Sequence, residues 1–333
     1  MKKLGTILLV ICLLLAAAIT FTVGWRPFIG PRARATSNRQ FERTPERLAR
    51  GRYLITGGIV DCEGCHTPKD WKTHGAPNLP GMELAGQVLS VPDFPGRIVA
   101  PNLTPDPETG AANWSDDQIA RAIREGIGHD GRAIFPMMPY TAFRSLSDED
   151  LASIVVYVRS VAPVRNPLPP TRIDFPLKYL IRNVPQPLTH AVSGPGAQAS
   201  PVERGRYMVS LGCGCHVPSD RKGPIRGLEY GGGEVFIGPW GNVASANITP
   251  DASGIGYFDE ALFIQVLRTG YVKARKLSSI MPFGEFTNLT DADLKAIFAY
   301  LRTLPPVKHR VDNSLPPTYC KLCRQKHGAG DQN

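Results

Sequence analysis

The chain has 333 residues with 42% hydrophobic and 20% charged content, enough for about two globular domains and incompatible with disorder as its global state. Its 33 glycines and 31 prolines point to compact domains held in long ordered connections, short of the excess that marks low-complexity chains. The formal charge of +9, from 38 Lys+Arg over 29 Asp+Glu, is spread along the chain, which excludes a single nucleic-acid-binding stripe. Seven cysteines are too few for a disulfide scaffold of this size, so their spacing must define what they do.

Lys2 and Lys3 precede an uncharged run from Leu4 to Gly24, long enough to cross a bilayer core. Residues 1–25 therefore read as a membrane anchor or an export signal. Ala16-Ala17-Ala18 offers a cleavage site, but the apolar run continues through Ile19, Phe21 and Val23, which favours an uncleaved anchor. Arg26, Arg32, Arg34 and Arg39 place more positive charge after the span than before it, against the positive-inside tendency. Cys12 lies within the span and reads as an apolar membrane residue.

Beyond the span the chain is written twice. Arg50-Gly51-Arg52-Tyr53 returns as Arg204-Gly205-Arg206-Tyr207, Asn102-Leu103-Thr104-Pro105-Asp106 as Asn247-Ile248-Thr249-Pro250-Asp251, and Met138-Pro139-Tyr140 as Met281-Pro282-Phe283. Each copy reads as mainly helical. The first helix opens at Thr44-Pro45 or Ser200-Pro201, a capping hydroxyl with proline at the first position; Ser200 and Glu203 also form a capping box. A middle helix starts at Ser115, its counterpart near Asp259. In the last helix Ser147 caps Leu151, Ile154, Val155 and Val158, and Thr290 caps Leu294, Ile297, Phe298 and Leu301, both on a one-faced apolar stripe. Between the copies, prolines from Pro163 to Pro195 predict an irregular strap over 167–199, too apolar for a free linker.

Cys62-Glu63-Gly64-Cys65-His66 is the Cys-x-x-Cys-His pattern of covalent c-type haem attachment. Two thiols on one turn can add to the two vinyl groups along one edge of the macrocycle, and the adjacent imidazole reaches the iron from one face. A redox dithiol needs no trailing histidine, and zinc needs further ligands at matching spacing. Met138, in a loop that proline keeps from being helix, is the candidate for the other iron face; Met137 has no counterpart, since Ile280 fills its place, and is assigned to the haem wall. A thioether ligand favours ferrous iron and raises the potential.

With Gly51-Arg52-Tyr53, Cys62 to His66 followed by Thr67-Pro68, Asn102 to Asp106, Trp114 to Ile119 and Met138-Pro139-Tyr140, the chain resembles the bacterial dihaem c-type cytochromes of the class I fold, in particular the cytochrome c subunits of membrane-bound alcohol, aldehyde and gluconate dehydrogenases. The resemblance covers residues 42–166 and 200–313. It implies two tandem class I cytochrome c domains with long loops after an N-terminal transmembrane helix, two covalent haems c, and iron ligation by His66 with Met138 and by His216 with Met281. It also implies haem domains facing the periplasm from the bacterial inner membrane, which outweighs the arginine bias. The expected partners are a periplasmic dehydrogenase subunit as electron donor and a quinone or terminal oxidase as acceptor, with no nucleic acid.

The second site departs from the pattern. Cys213-Gly214-Cys215-His216 is one residue short, Gly212 stands where the first attachment cysteine belongs, and Tyr207 to His216 spans nine residues against thirteen from Tyr53 to His66. Haem through Cys215 alone, haem through Cys213 and Cys215 on a distorted turn, and no haem are all open, with Met281, Asn247 and Thr249 arguing for retention. In the tail, 314–333, Cys320 and Cys323 lack a following histidine; a local disulfide, a metal site with His327, or assistance to the second haem site are the readings. His74, His129, His190 and His309 are expected to face solvent. Asn102 and Asn247 bond near a haem edge or cap their loops, and a carbonyl is expected to accept the free N–H of each Cys-His histidine. The functional expectation is electron transfer from a dehydrogenase toward the respiratory chain without autonomous catalysis. The alternatives are a one-haem carrier with a degenerate docking domain, and a dihaem peroxidase or thiosulfate-oxidising enzyme.

Overall fold

The computed structural model describes residues 2–220 and 223–333. Its helices, in chain order, are α1 (Lys2–Phe21), α2 (Arg26–Ile29), α3 (Pro45–Thr56), α4 (Cys62–His66), α5 (Asp116–Glu125), α6 (Tyr140–Phe143), α7 (Asp148–Val158), α8 (Leu177–Leu180), α9 (Pro201–Gly212), α10 (Glu260–Thr269), α11 (Phe283–Phe286) and α12 (Asp291–Leu301). The strands are short and include antiparallel pairings such as Gln87–Leu89 with Gly96–Ala100 and Val235–Gly238 with Gly241–Ala244. Every expected cap is present: Thr44, Ser115, Ser147, Ser200, Asp259 and Thr290 each accept a backbone N–H from the first turn of their helix. Ser115 with Gln118 and Ser200 with Glu203 make full capping boxes.

The chain forms two compact units. One comprises the segment ending at Gln40, Trp114–Arg144 and Arg172–His190; the other comprises Phe41–Asn113, Ser145–Thr171 and Ala191–Asn333. In the first, α1 is an apolar helix of mean hydropathy 2.7 over Lys3–Phe21, none of it buried. The arginines behind it are engaged. Arg34 clasps both ends of α5, meeting Asp117 at 2.7 Å and Glu125 at 2.7 Å, two carboxylates that are almost fully buried. Burial would raise the Asp117 carboxyl, but the Arg34 guanidinium and the Ser37 N–H hold it below the usual carboxylate range. Arg32 donates to the Gln186 side chain, Arg182 to the Pro27 carbonyl and Asn183 to the Val23 carbonyl. The strap therefore packs onto the chain just after α1 and contains α8 and a 3₁₀ turn, Ile181–Asn183, where the proline density predicts no regular element.

In the second unit two helix pairs carry the core, α3 along α7 and α9 along α12. Leu54, Ile55, Leu151, Ile154 and Val155 are buried in one pair, and Met208, Val209, Leu294, Ile297 and Leu301 in the other. Each pair touches at a glycine of the repeated Arg-Gly-Arg-Tyr. A Cβ on Gly51 would lie 1.9 Å from the Ser153 carbonyl oxygen, and one on Gly205 would lie 1.9 Å from that of Ala296. The tyrosines that follow reach across between repeats. Tyr53 donates to Asp293 and accepts from the Thr290 N–H at 3.1 Å; Tyr207 donates to Asp150 at 2.7 Å and accepts from the Ser147 N–H at 3.0 Å. Each repeat's first helix thus closes the start of the other repeat's last helix.

Gly205→Ala, which would force α9 and α12 apart, is expected to lower stability by about 1–3 kcal/mol. The measurement is a reduced denaturant midpoint at unchanged slope.

Candidate functional site

The first Cys-His segment is a turn of true α-helix. Asp61, in the left-handed region at φ 40°, caps α4 by accepting the Gly64 N–H, and the Thr67 N–H donates to the Glu63 carbonyl at 3.2 Å. Spacing of three along an α-helix puts Cys62 and Cys65 on one face. The Nδ1 of His66 lies 2.8 Å from the Pro101 carbonyl oxygen, an acceptor only, so Nδ1 carries the proton and Nε2 is left to bind a metal. Burial lowers the His66 pKa and keeps the ring neutral, as ligation requires. Burial also pushes the Cys62 thiol upward and Cys65 up to about 12.

The second segment has the same histidine and a different turn. His216 places Nδ1 2.7 Å from the Ala246 carbonyl oxygen, and burial lowers its pKa too. The carbonyls come from the residues just before Asn102 and Asn247, while the proline carbonyls of Pro68 and Pro218 are taken by the Leu79 and Ile225 N–H groups. Here, however, α9 runs directly into a 3₁₀ turn, Gly214–His216, in which the His216 N–H donates to Cys213 and the Val217 N–H to Gly214. Losing one residue has converted an α-turn into a 3₁₀ turn. Cys213 and Cys215 are two residues apart on this turn, whereas Gly212 and Cys215 share the spacing of an intact motif. A Cβ on Gly212 would lie 2.9 Å from the Ile59 carbonyl oxygen, so the backbone of the first repeat blocks a cysteine there. Burial raises Cys213 to about 12 and raises Cys215 as well. Cys215 lies near enough to Cys65 to help raise its thiol, and Asp61, which caps α4, helps raise Cys215, so the two Cys-His turns are neighbours.

The methionines occupy matching turns. The Met138 N–H donates to Phe135 at 3.2 Å and its carbonyl accepts from Tyr140 at 2.8 Å; the Met281 N–H donates to Ser278 at 3.2 Å and its carbonyl accepts from Phe283 at 2.8 Å. Both are half-buried, and Met137 is exposed. Met281 shares a compact unit with Cys62, Cys65, His66, Cys213, Cys215 and His216; Met138 belongs to the other unit. Asn102 and Asn247 are loop braces. Each accepts both the N–H and the hydroxyl of the threonine two residues on, and donates to the carbonyl of Val164 or Val307 at 2.7 Å.

Sequence reasoning missed two features. Lys69, three residues after His66, forms a buried ion pair with Glu285 of α11 and donates to Asn78 at 2.9 Å, which in turn donates to Glu63 between the two cysteines. Neither residue has a counterpart in the other repeat, so no repeat signal marks them. The second is His309, expected in solvent but fully buried, because Gly231 and the tail enclose it. His74 is half-buried against Thr269, whereas His129 and His190 are exposed as expected.

Residues 49–162 match the Cytochrome c family. The chain is 32% identical to the fructose dehydrogenase cytochrome subunit of Gluconobacter japonicus over 78% of its length and 52% of that protein. It is 32% identical to the gluconate 2-dehydrogenase cytochrome c subunit of Pantoea cypripedii over 77% of its length and 59% of that protein. A diheme cytochrome c-type of Cereibacter sphaeroides is 28% identical over 77% of this chain and 85% of its own length. The chain thus spans little more than half the length of the first two. It contains a cytochrome c domain, which implies covalently bound haem c, and its relatives include cytochrome c subunits of dehydrogenases.

Lys69→Met is expected to destabilise the protein by about 3–5 kcal/mol, because it leaves the Glu285 carboxylate buried without its cation. Adding Glu285→Leu should restore most of the loss, with chemical denaturation of all three proteins as the measurement.

Proposed function

From the premise of a cytochrome c domain at 49–162, we propose that the chain is a dihaem electron carrier built of two tandem cytochrome c domains, 42–166 and 200–313. In this reading 167–199 is the connecting strap. When bound, haem supplies a reversible one-electron iron couple. Cys62 and Cys65 would hold the first haem by thioethers, and His66, through Nε2, and Met138 would be the ligands of its iron. In the second domain Cys215 would be the thioether, and His216 and Met281 the residues that would hold the iron. Cys213, two residues from Cys215 rather than three, is the cysteine proposed not to attach. The observation that carries the reading is the repeated histidine geometry: in both segments a backbone carbonyl fixes Nδ1–H and frees Nε2.

The neighbouring Cys-His turns support a short relay between haems. The residues there bind, orient and desolvate; no nucleophile or general base is required of them. The partners proposed are a periplasmic dehydrogenase subunit as donor, in keeping with the relatives, and a quinone or terminal oxidase as acceptor. Helix α1 serves as an inner-membrane anchor with the rest of the chain in the periplasm. Engagement of Arg34 by Asp117 and Glu125 supports this orientation, since that charge is already partnered.

The test is the mass of the intact protein from a host with haem-attachment machinery. Two haems are expected, with Cys215→Ser losing one and Cys213→Ser losing none. The near-infrared band of methionine-ligated ferric haem should weaken in both Met138→Ala and Met281→Ala. A single haem in the parent protein, with a spectrum unchanged by His216→Ala, would select the one-haem carrier.

A further inference from the structure

Away from the Cys-His turns, four potential ligands of the C-terminal region meet. One donor atom from each of His309, Cys320, Cys323 and His327 lies within 4.8 Å of the other three, and all four residues are buried. We propose that they form a tetrahedral zinc site that clamps the tail onto the segment Gly231–Gly233. The site is independent of whether the second domain holds haem.

The ring orientations carry the argument. His309 donates from Nδ1 to the Gly231 carbonyl at 2.9 Å, which turns Nε2 toward Cys320 Sγ at 3.3 Å. His327 donates from Nδ1 to the Gly328 carbonyl at 2.9 Å, and its Nε2 is buried with no hydrogen-bond partner. Both imidazoles therefore have the tautomer and backbone support that metal-bound histidines show, with the ligating nitrogen aimed into the cluster. The cysteines sit on the turn of a hairpin, Pro317–Tyr319 paired with Lys326–Gly328. That turn is closed by the Cys320 N–H to Gln325 and the Arg324 N–H to Cys320, with Arg324 in the left-handed region at φ 60°. Leu228, Ile225 and Val307 pack against the two thiols and keep water out. Gly233 forms the remaining wall, where a Cβ would lie 2.5 Å from His309 Cε1 and 3.1 Å from Cys323 Sγ.

Two nitrogens and two sulfurs at tetrahedral reach suit zinc, and four thiolates would be needed for an ordinary iron–sulfur cluster. A Cys320–Cys323 disulfide satisfies neither buried imidazole; a metal uses all four donors. Both thiols are free in this structure.

The repeat shows how the site arose within the fold. Asn166 in the first repeat donates its backbone N–H to Thr109 at 3.0 Å and its side chain to the Ala85 carbonyl at 2.9 Å. His309 makes the matching pair of bonds, N–H to Ser253 at 3.0 Å and ring to Gly231. Histidine thus keeps the asparagine's brace and adds a second nitrogen for a ligand. The next residue, Gly232, donates to the His216 carbonyl at 3.0 Å, so the clamp backs the shortened turn that carries His216.

The experiment uses the full-length haem-loaded protein, purified without chelator from cells grown with zinc. Elemental analysis is expected to give one zinc per chain in addition to haem iron, and zinc-edge X-ray absorption to give two sulfur and two nitrogen neighbours. Both cysteines should resist alkylation until zinc is stripped. Cys320→Ser with Cys323→Ser should lose the zinc while keeping the Cys62/Cys65 haem, which reports that the protein still folds. Absence of zinc overturns the proposal, and a mass two hydrogens lower then identifies the disulfide in its place. Zinc with only nitrogen and oxygen neighbours, or another metal at full occupancy, overturns it as well. The stoichiometry and absorption of the unmodified protein decide the matter even where the double variant fails to fold.

Discussion

In each helix pair of the larger unit, two backbones meet at a point where no side chain fits. Gly51 lies against Ser153 and Gly205 against Ala296, and from these two crossings the rest of the unit is laid out. Close approach brings Leu54 and Ile55 onto Leu151 and Ile154, and Met208 and Val209 onto Leu294 and Ile297, where burial of apolar surface supplies the stability. It also sets the rotation of α3 and α9, so that Tyr53 and Tyr207, two residues on, emerge toward the other repeat's last helix. There each hydroxyl serves as both donor and acceptor, meeting a carboxylate and an otherwise unpaired N–H of a helix start. One tripeptide, Gly-Arg-Tyr, thereby does two jobs: the glycine joins helices within a repeat and the tyrosine joins the repeats.

That interlock has consequences for the Cys-His turns. Because α9 ends against the Ile59 backbone, the position three residues before Cys215 has no room beyond glycine. The glycine in the irregular second motif is therefore matched to the packing. Its histidine is unaffected, since the Ala246 carbonyl orients the ring and the Gly232 N–H holds the His216 backbone carbonyl, both outside the shortened turn. Turn and ring are thus separable: the shortening changes the spacing of the cysteines and leaves the orientation of the imidazole as it is in the first segment.

Charge is handled locally throughout. The net +9 suggests a basic surface, yet Arg34 is spent on Asp117 and Glu125, Arg50 on Asp150 with bonds of 2.7 and 2.9 Å, and Lys69 on Glu285. Buried pairs such as Lys69 with Glu285 give register more than net stability, because desolvation offsets much of the Coulomb attraction. Here the register joins Lys69, three residues after His66, to α11, the helix that follows Met281.

Much of the architecture was legible in the residue string because its causes are local. The caps at Thr44, Ser115, Ser147, Ser200, Asp259 and Thr290 act within one helical turn, the apolar stripes of α7 and α12 repeat at helical spacing, and Cys62 to His66 is a contiguous motif. Repetition extended this reach, by pairing Met138 with Met281 and Asn102 with Asn247. Tertiary structure alone decided what depends on residues far apart in the chain: the carbonyls that orient His66 and His216, the block at Gly212, the Lys69–Glu285 pair and the enclosure of His309 beside Cys320, Cys323 and His327. A single histidine carries no periodicity and no neighbouring motif, so its burial and its ligand atom become visible only when the fold brings distant donors into one volume.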